Sequence, residues 1–427
     1  MNLLLSVVFP GQGSQYSGMG KKLLDLYPDS KHIFNEASEY INHNLLDDCT
    51  IASNDHLTQS QYIQSSVFVT CYAYFKALQK EYGIQPACAA GHSLGEISAL
   101  ACSNAITFKD AVLLSDFRGK VMYAASRQRR GGMSAITNIS AGEVEELCLE
   151  LTQQDEEIYC ATYNLPKQTV VSGSVAALQK AEACFIGKGA KVQGLSVIGA
   201  FHSPFMNSAI EPYTKYLDSL SITKMHWPVF STSTTHPYVA PWTVRSILVG
   251  QLTNPVHWFP TIENMYRCAV RVFIEIGPGH VLKNLIKRQY PNCQVYAIEE
   301  SQDREALHTY LYKKNISPGH VFKAPIPTML SEMLHIAVSV PHKGEQDNDD
   351  YEKAVAEAYE QLLQMQQAQE AGKVFEKKDY DLALKILKDI LTAKKVTKQK
   401  QESLTQKLFD YTGVLVSDNQ IVDVSNL

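Results

Sequence analysis

Two hydrophobic textures alternate along the chain. Short unbroken apolar runs, LLLSVVFP at 3–10, PACAAGHS at 86–93 and RVFIEI at 271–276, end in Pro, Gly or Ser. They read as strands buried on both faces. Between them lie longer stretches with apolar residues at helical spacing. SSVFVTCYAYFKALQKEYG stops at Gly83, and EISALACSNAITFKDAVLLSDFRGKVMYAAS (96–126) reads as two helices. Strands alternating with helices predict a parallel sheet covered on both faces.

Between about Gly132 and Gly199 the order changes. GGMSAIT is a strand, and SAGEVEELCLELTQQ is a helix with Ser140 as N-cap and Glu143 three residues on, a capping-box pattern. IYCATYN and QTVVSG are two strands close together. SVAALQKAEACFIGKG is a second helix and AKVQGLSVI a strand. The order β-α-β-β-α-β is that of the ferredoxin-like unit. The chain therefore reads as an α/β protein: a parallel-sheet domain over 1–131 and 199–300 and an inserted ferredoxin-like small domain over 132–198. A connecting segment and polar linker cover 301–350, and a helical appendage covers 351–427. In the appendage Tyr380, Ala383, Leu384 and Leu387 follow the i, i+3, i+4, i+7 spacing of an amphipathic helix. AGKVFEKKDYDLALKIL resembles a single tetratricopeptide-type hairpin, and one copy is not an array. A cap or a docking element is the expectation.

Length and charge narrow the function classes. The 427 residues suffice for two or three domains. The net charge of -5 gives no electrostatic case for nucleic acid, which needs a basic face. Nine scattered cysteines form no C-x-x-C pair and no Cys/His cluster at metal spacing, so free thiols in a reducing cytosol are expected and no metal site is. The apolar N-terminus lacks a basic segment and a cleavage site, and reads as a buried strand. No run approaches the ~20 apolar residues of a membrane span. A soluble cytoplasmic protein is expected.

The chemistry is signalled at Ala90–Glu96, AGHSLGE. Gly-x-Ser-x-Gly between a strand and a helix is the nucleophile elbow of α/β-hydrolase-like folds, in which glycines allow a tight turn and Ser93 stands exposed at a helix N-terminus. A serine nucleophile needs a base. Of the thirteen histidines, His202 in VIGAFHSPFM lies where the small domain returns to the main sheet, a junction where active sites commonly lie. His92 points differently along the turn and reads as part of the acyl pocket, and His257 beside Trp258 as a packed residue. No carboxylate stands out as a third member. Glu275 and Asp116 are candidates, while Glu96 and Asp116 read as helix-capping or solvated residues. A backbone carbonyl can orient a histidine equally well. Arg118 sits among Leu113, Leu114, Phe117 and Met122 on an apolar helix. A buried guanidinium needs a planar anion, and an acyl group carrying a free carboxylate would satisfy it.

PGQGSQYSGMG, GHSLGE, FRGKVM, YNLPKQTVVSG, GAFHSPFM, QLTNPVHW and FIEIGPGHVLKNL occur in this order over roughly residues 1–300. Together they resemble the malonyl-CoA:acyl carrier protein transacylases of fatty acid synthesis and of polyketide synthases that lack an internal acyltransferase. The resemblance implies that Ser93 forms an acyl-serine intermediate and that His202 is the general base. It implies that the backbone carbonyl of Gln251 orients that histidine, and that the N–H groups of Gln12 and Leu94 form the oxyanion hole. Arg118 matches the residue that pairs with the malonyl carboxylate, and Gln64 and Asn164 match residues near the substrate. Phe201, just before the histidine, matches malonyl-selective members. The partners implied are malonyl-CoA and an acyl carrier protein bearing phosphopantetheine. No cofactor beyond the coenzyme A thioester is implied, and a monomer is the expected state. Two other readings stay open: a hydrolase of the same fold that clears carrier proteins, whose members typically lack the arginine, and an idle binding module.

Overall fold

The computed structural model describes residues 4–54, 61–83, 85–154, 156–314, 316, 320, 328–340, 349–371, 373, 375–412, 416–417 and 420–421. Five strands form one parallel sheet: β1 (Leu4–Phe9), β2 (Ala89–Gly91), and then, later in the chain, Val229–Phe230, Val270–Glu275 and Gln294–Ala297. The spatial order runs from Val229–Phe230 through β2, β1 and Val270–Glu275 to Gln294–Ala297. Every pairing is parallel, with Val7 opposite Ala89 and Ile274. β1 is buried along its whole length, as an unbroken apolar run requires. The helix Ile63–Tyr82 ends on Gly83, whose φ of 62° supplies the left-handed C-cap that a side chain resists.

A second, antiparallel sheet is built from β3 (Gly132–Thr137), β4 (Ile158–Leu165), β5 (Gln168–Gly173) and β6 (Lys191–Gly194), in the order β4-β5-β3-β6. The helices Ala141–Thr152 and Val175–Gly187 pack on it around Ile136, Val144, Leu147, Val171, Ala181 and Phe185. The Ser140–Glu143 capping box forms as its spacing predicts. β6 ends at Gly194, short of the run to Ile198 expected from AKVQGLSVI. Leu195 N–H still bonds Met133 C=O, and beyond it Ser196 and Val197 turn to line the cavity described below.

The chain divides into two compact units, one of Met1–Thr235 with Arg245–Ala324 and one of His236–Val244 with Pro325–Leu427. The antiparallel sheet lies within the first. The second takes in more chain than the expected appendage at 351–427. It includes the helix Met329–Ser339 and the short segment His236–Val244, because Ala240, Met333 and Leu334 share one apolar cluster with Tyr380, Ala383, Leu384 and Leu387. Of the expected connecting segment and linker at 301–350, residues 315, 317–319, 321–327 and 341–348 lie outside the described residues. Among the described residues no helix is long and apolar enough to cross a membrane.

Candidate active site

β2 delivers the chain into the elbow, and both elbow glycines are sterically required. A Cβ on Gly91 would fall 1.9 Å from the carbonyl carbon of Gly95, and one on Gly95 would fall 2.1 Å from the carbonyl oxygen of Phe9. Ser93 itself holds φ of 52°, a left-handed conformation that a serine adopts only under constraint. His202 is also left-handed, with φ of 58°, on a loop pinned by the bond from Ser203 Oγ to the Ala200 carbonyl.

These two constrained residues meet. Ser93 Oγ lies 2.8 Å from His202 Nε2, and His202 Nδ1 lies 2.8 Å from the backbone oxygen of Gln251. A carbonyl only accepts, so Nδ1 carries the proton and Nε2 is left bare to accept from the serine hydroxyl. Burial, helped by the Arg118 charge, pulls the His202 value down to about 3, although the Gln251 carbonyl acts the other way. The imidazole is therefore neutral at physiological pH.

The His202 ring bonds Ser93 and the Gln251 carbonyl, and neither candidate carboxylate. Glu275 accepts the Leu282 and Lys283 N–H groups at the start of helix Val281–Gln289. Asp116 pairs with Lys120 one helical turn on, at 2.7 Å. Glu96 departs most from its expected solvated role. It is fully buried, and its Oε2 accepts from Thr232 N–H at 3.1 Å, Thr232 Oγ at 2.9 Å and Gln251 Nε2 at 2.8 Å. An acidic residue opening the apolar helix EISALAC was the available signal, since a buried carboxylate must be partnered.

Arg118, on helix Phe108–Gln128, is 1 % exposed. Its Nη1 donates to Gln64 Oε1 at 2.7 Å, and its Nη2 to Gln251 Oε1 at 3.1 Å and Ser93 Oγ at 3.2 Å. All three acceptors are neutral, and its Nε has no partner among the described residues. Burial lowers the guanidinium below its ordinary value, with Tyr213 and Glu96 opposing, and an arginine side chain keeps its proton in a folded protein.

The Gly11–Gly13 loop packs onto the elbow. A Cβ on Gly11 would lie 2.3 Å from the His92 carbonyl oxygen and 3.5 Å from Leu94 N, so only glycine allows this approach. It brings Gln12 to the serine, with its side chain held by Gln64 Nε2 at 3.3 Å. Among the described residues neither the Gln12 nor the Leu94 N–H donates to a protein acceptor. His92 Nε2 bonds Asn164 Oδ1 at 2.9 Å, which joins the elbow to β4. His257 stacks on Tyr163 at 4.9 Å, a packing role. One cavity of about 380 Å³ is lined by Gln12, Gln64, His92, Ser93, Arg118, Asn164, Phe201 and His202, among others. Gln251 and Leu94 stand behind its wall. Thr162 is a cavity residue that sequence reasoning missed, since nothing marks it out in a strand of similar residues.

Residues 7–315 match the acyl transferase domain family. A malonyl CoA-acyl carrier protein transacylase of Bacillus subtilis (strain 168) is 33% identical over 312 residues, covering 73% of this chain and 98% of that protein. The chain belongs to the malonyl CoA-acyl carrier protein transacylase family. The crystal structure of the transacylase from Clostridium perfringens superimposes with a TM-score of 0.68 at 32% identity, covering 73% of this chain and 98% of that one. A malonyl-transacylase solved in complex with its type II PKS acyl-carrier protein matches at 30% identity and a TM-score of 0.69, over 72% and 99%. Members of this family are acyltransferases, and the acyl-serine route is typical of them. The matched region stops before the helix Met329–Ser339.

Proposed function

We propose that the protein transfers a malonyl group from coenzyme A to the phosphopantetheine thiol of an acyl carrier protein. The observation that carries this reading is Arg118: a buried cation beside the reactive serine, with only neutral partners, which a second carboxylate on the acyl group would satisfy. Ser93 is the nucleophile. As its oxygen attacks the thioester carbonyl, its proton passes to His202 Nε2, and the N–H groups of Gln12 and Leu94 receive the oxyanion. Collapse expels the coenzyme A thiol, which takes the proton from His202, and leaves malonyl-Ser93. The carrier thiol then gives its proton to His202 and attacks the ester, and Ser93 recovers its hydroxyl. Gln251 orients the base through its carbonyl. Gln64 holds Arg118, His92 and Asn164 shape the acyl end, and Phe201 crowds its α-carbon. Malonyl-CoA and the carrier protein are the partners, no metal or redox cofactor takes part, and the enzyme works as a cytoplasmic monomer. The β4-β5-β3-β6 order, with its two helices, supports reading residues 132–198 as a ferredoxin-like insertion in an α/β-hydrolase-like domain, and the segment beyond the family match as a helical appendage.

The test is intact mass after incubation with malonyl-CoA, acetyl-CoA or methylmalonyl-CoA, with and without a carrier protein. A malonyl adduct that requires Ser93 and moves to the carrier is expected. In Arg118→Ala the preference for malonyl over acetyl should fall about 10- to 100-fold, the worth of a charge-assisted contact. Release of the acyl group as free acid in the wild type would make the chain a hydrolase instead.

A further inference from the structure

One side chain in the site is bracketed by two groups of opposite hydrogen-bonding character. The Gln251 amide lies between Glu96 and Arg118, with its Nε2 2.8 Å from Glu96 Oε2 and its Oε1 3.1 Å from Arg118 Nη2. A carboxylate only accepts and a guanidinium only donates. The amide therefore has one satisfied orientation, and turning it over would set its NH₂ against the guanidinium and its oxygen against the carboxylate. Glu96 cannot yield, because the same oxygen also holds the N–H and hydroxyl of Thr232, two residues past the strand Val229–Phe230. Glu96, Thr232 and Gln251 are each fully buried, so no water competes for these bonds.

We propose that Glu96 is a positioning residue that locks the Gln251 amide with its oxygen toward Arg118, and thereby sets the guanidinium for a carboxylate-bearing acyl group. The proposal rests on the reading of Arg118 given above. Through Gln251 the lock reaches both halves of the site. The side chain of that residue steers the cation, and its backbone carbonyl holds His202. The Glu96 backbone N–H bonds the Ser93 carbonyl at 3.0 Å, while its carboxylate is bonded to Thr232 and Gln251 and does not line the cavity. It keeps a negative charge one amide away from Arg118, which leaves the guanidinium without a direct carboxylate partner among the bonds it makes.

Three full-length variants test this. Glu96→Met has similar bulk and no acceptor. Glu96→Gln keeps an acceptor oxygen for Thr232 and the amide. Gln251→Met keeps the backbone carbonyl on His202 and removes the amide. Each is checked for folding by circular dichroism and melting. The readout is the ratio of malonyl to acetyl loading on Ser93. Roughly tenfold loss of that ratio is expected in Glu96→Met and Gln251→Met, and most of it should return in Glu96→Gln. A ratio unchanged in Gln251→Met, or in a folded Glu96→Met, would overturn the proposal. So would loss in Glu96→Gln equal to that in Glu96→Met. The Gln251 side-chain amide resonance, assigned by its disappearance in Gln251→Met, gives a reading that needs no malonyl. It should move upfield in Glu96→Met, and an unmoved resonance would refute the lock. Wild-type protein that loads malonyl no better than acetyl would sink the proposed function, while the amide resonance would still decide the role of Glu96.

Discussion

His202 is the residue whose environment makes the sharpest prediction. Its value lies near 3 because the ring is buried beside Arg118, whereas an exposed imidazole titrates near 6.5. The base therefore stays unprotonated far into acid. The acid limb of acetyl loading, which needs no carboxylate contact, should fall well below pH 6.5, and in Arg118→Ala it should move up toward neutrality. The same shift is a stability statement. As pH falls below 6.5 the unfolded chain takes up a proton that the native ring refuses, so native stability is lost through this window, by about 2 kcal/mol at pH 5 from this group alone. Chemical denaturation at pH 7 and pH 5, in wild type and in His202→Gln, would isolate the contribution, and an equal pH dependence in both would refute it. Phe201 supports a second prediction. Phe201→Ala should raise methylmalonyl relative to malonyl loading by about 10-fold or more, since a methyl group is worth about 1–3 kcal/mol of discrimination in a fitted pocket.

At the scale of elements, the site depends on two turns pressed together. The elbow after β2 and the loop after β1 approach so closely that Gly11 has no room for a methyl group. Gly11→Ala must push the loop off the His92 carbonyl, and with it the Gln12 N–H. With the Gln12 N–H in its proposed oxyanion role, loading should drop at least 10²-fold, the cost of losing one such donor, while the Ser93–His202 pair survives. A serine-directed sulfonyl fluoride would still label the variant, and loss of labelling together with loss of loading would point to general disruption instead. The Ser140–Glu143 capping box is a purely local device. Ser140→Ala should cost about 1 kcal/mol of stability and nothing in loading.

On the scale of the molecule, the second unit has its own core, and all of it except His236–Val244 lies beyond the family match. Leu387 is buried among Tyr380, Ala383, Leu384 and Leu391. Leu387→Ala should cost about 2–5 kcal/mol in that unit, seen as an earlier melting transition, with malonyl loading per folded molecule unchanged. A proportional loss of loading would mean that the helical unit takes part in catalysis.

The sequence by itself determined the parts that depend on local rules. Unbroken apolar runs specified three strands of the parallel sheet, because a strand buried on both faces has no polar side, whereas Val229–Phe230 and Gln294–Ala297 carried no such mark. Ser140 and Glu143 specified a helix start, because their side chains satisfy N–H groups three residues away. The Gly-x-Ser-x-Gly turn specified the elbow, because only glycines fit where chains nearly touch. Ser93, His202 and Arg118 were legible as chemistry that needs partners. The partners themselves were decided only by tertiary structure. The group that orients His202 is a backbone oxygen 49 residues away, which no side-chain pattern marks and which only the family resemblance pointed to before the fold placed it there. Glu96 read as a solvated helix residue and is buried against Thr232 and Gln251, 136 and 155 residues on. The second unit recruits His236–Val244 from the middle of the chain. Side-chain type and spacing encode what a residue can do, whereas burial and a partner distant in the chain exist only once the sheet has brought those segments together.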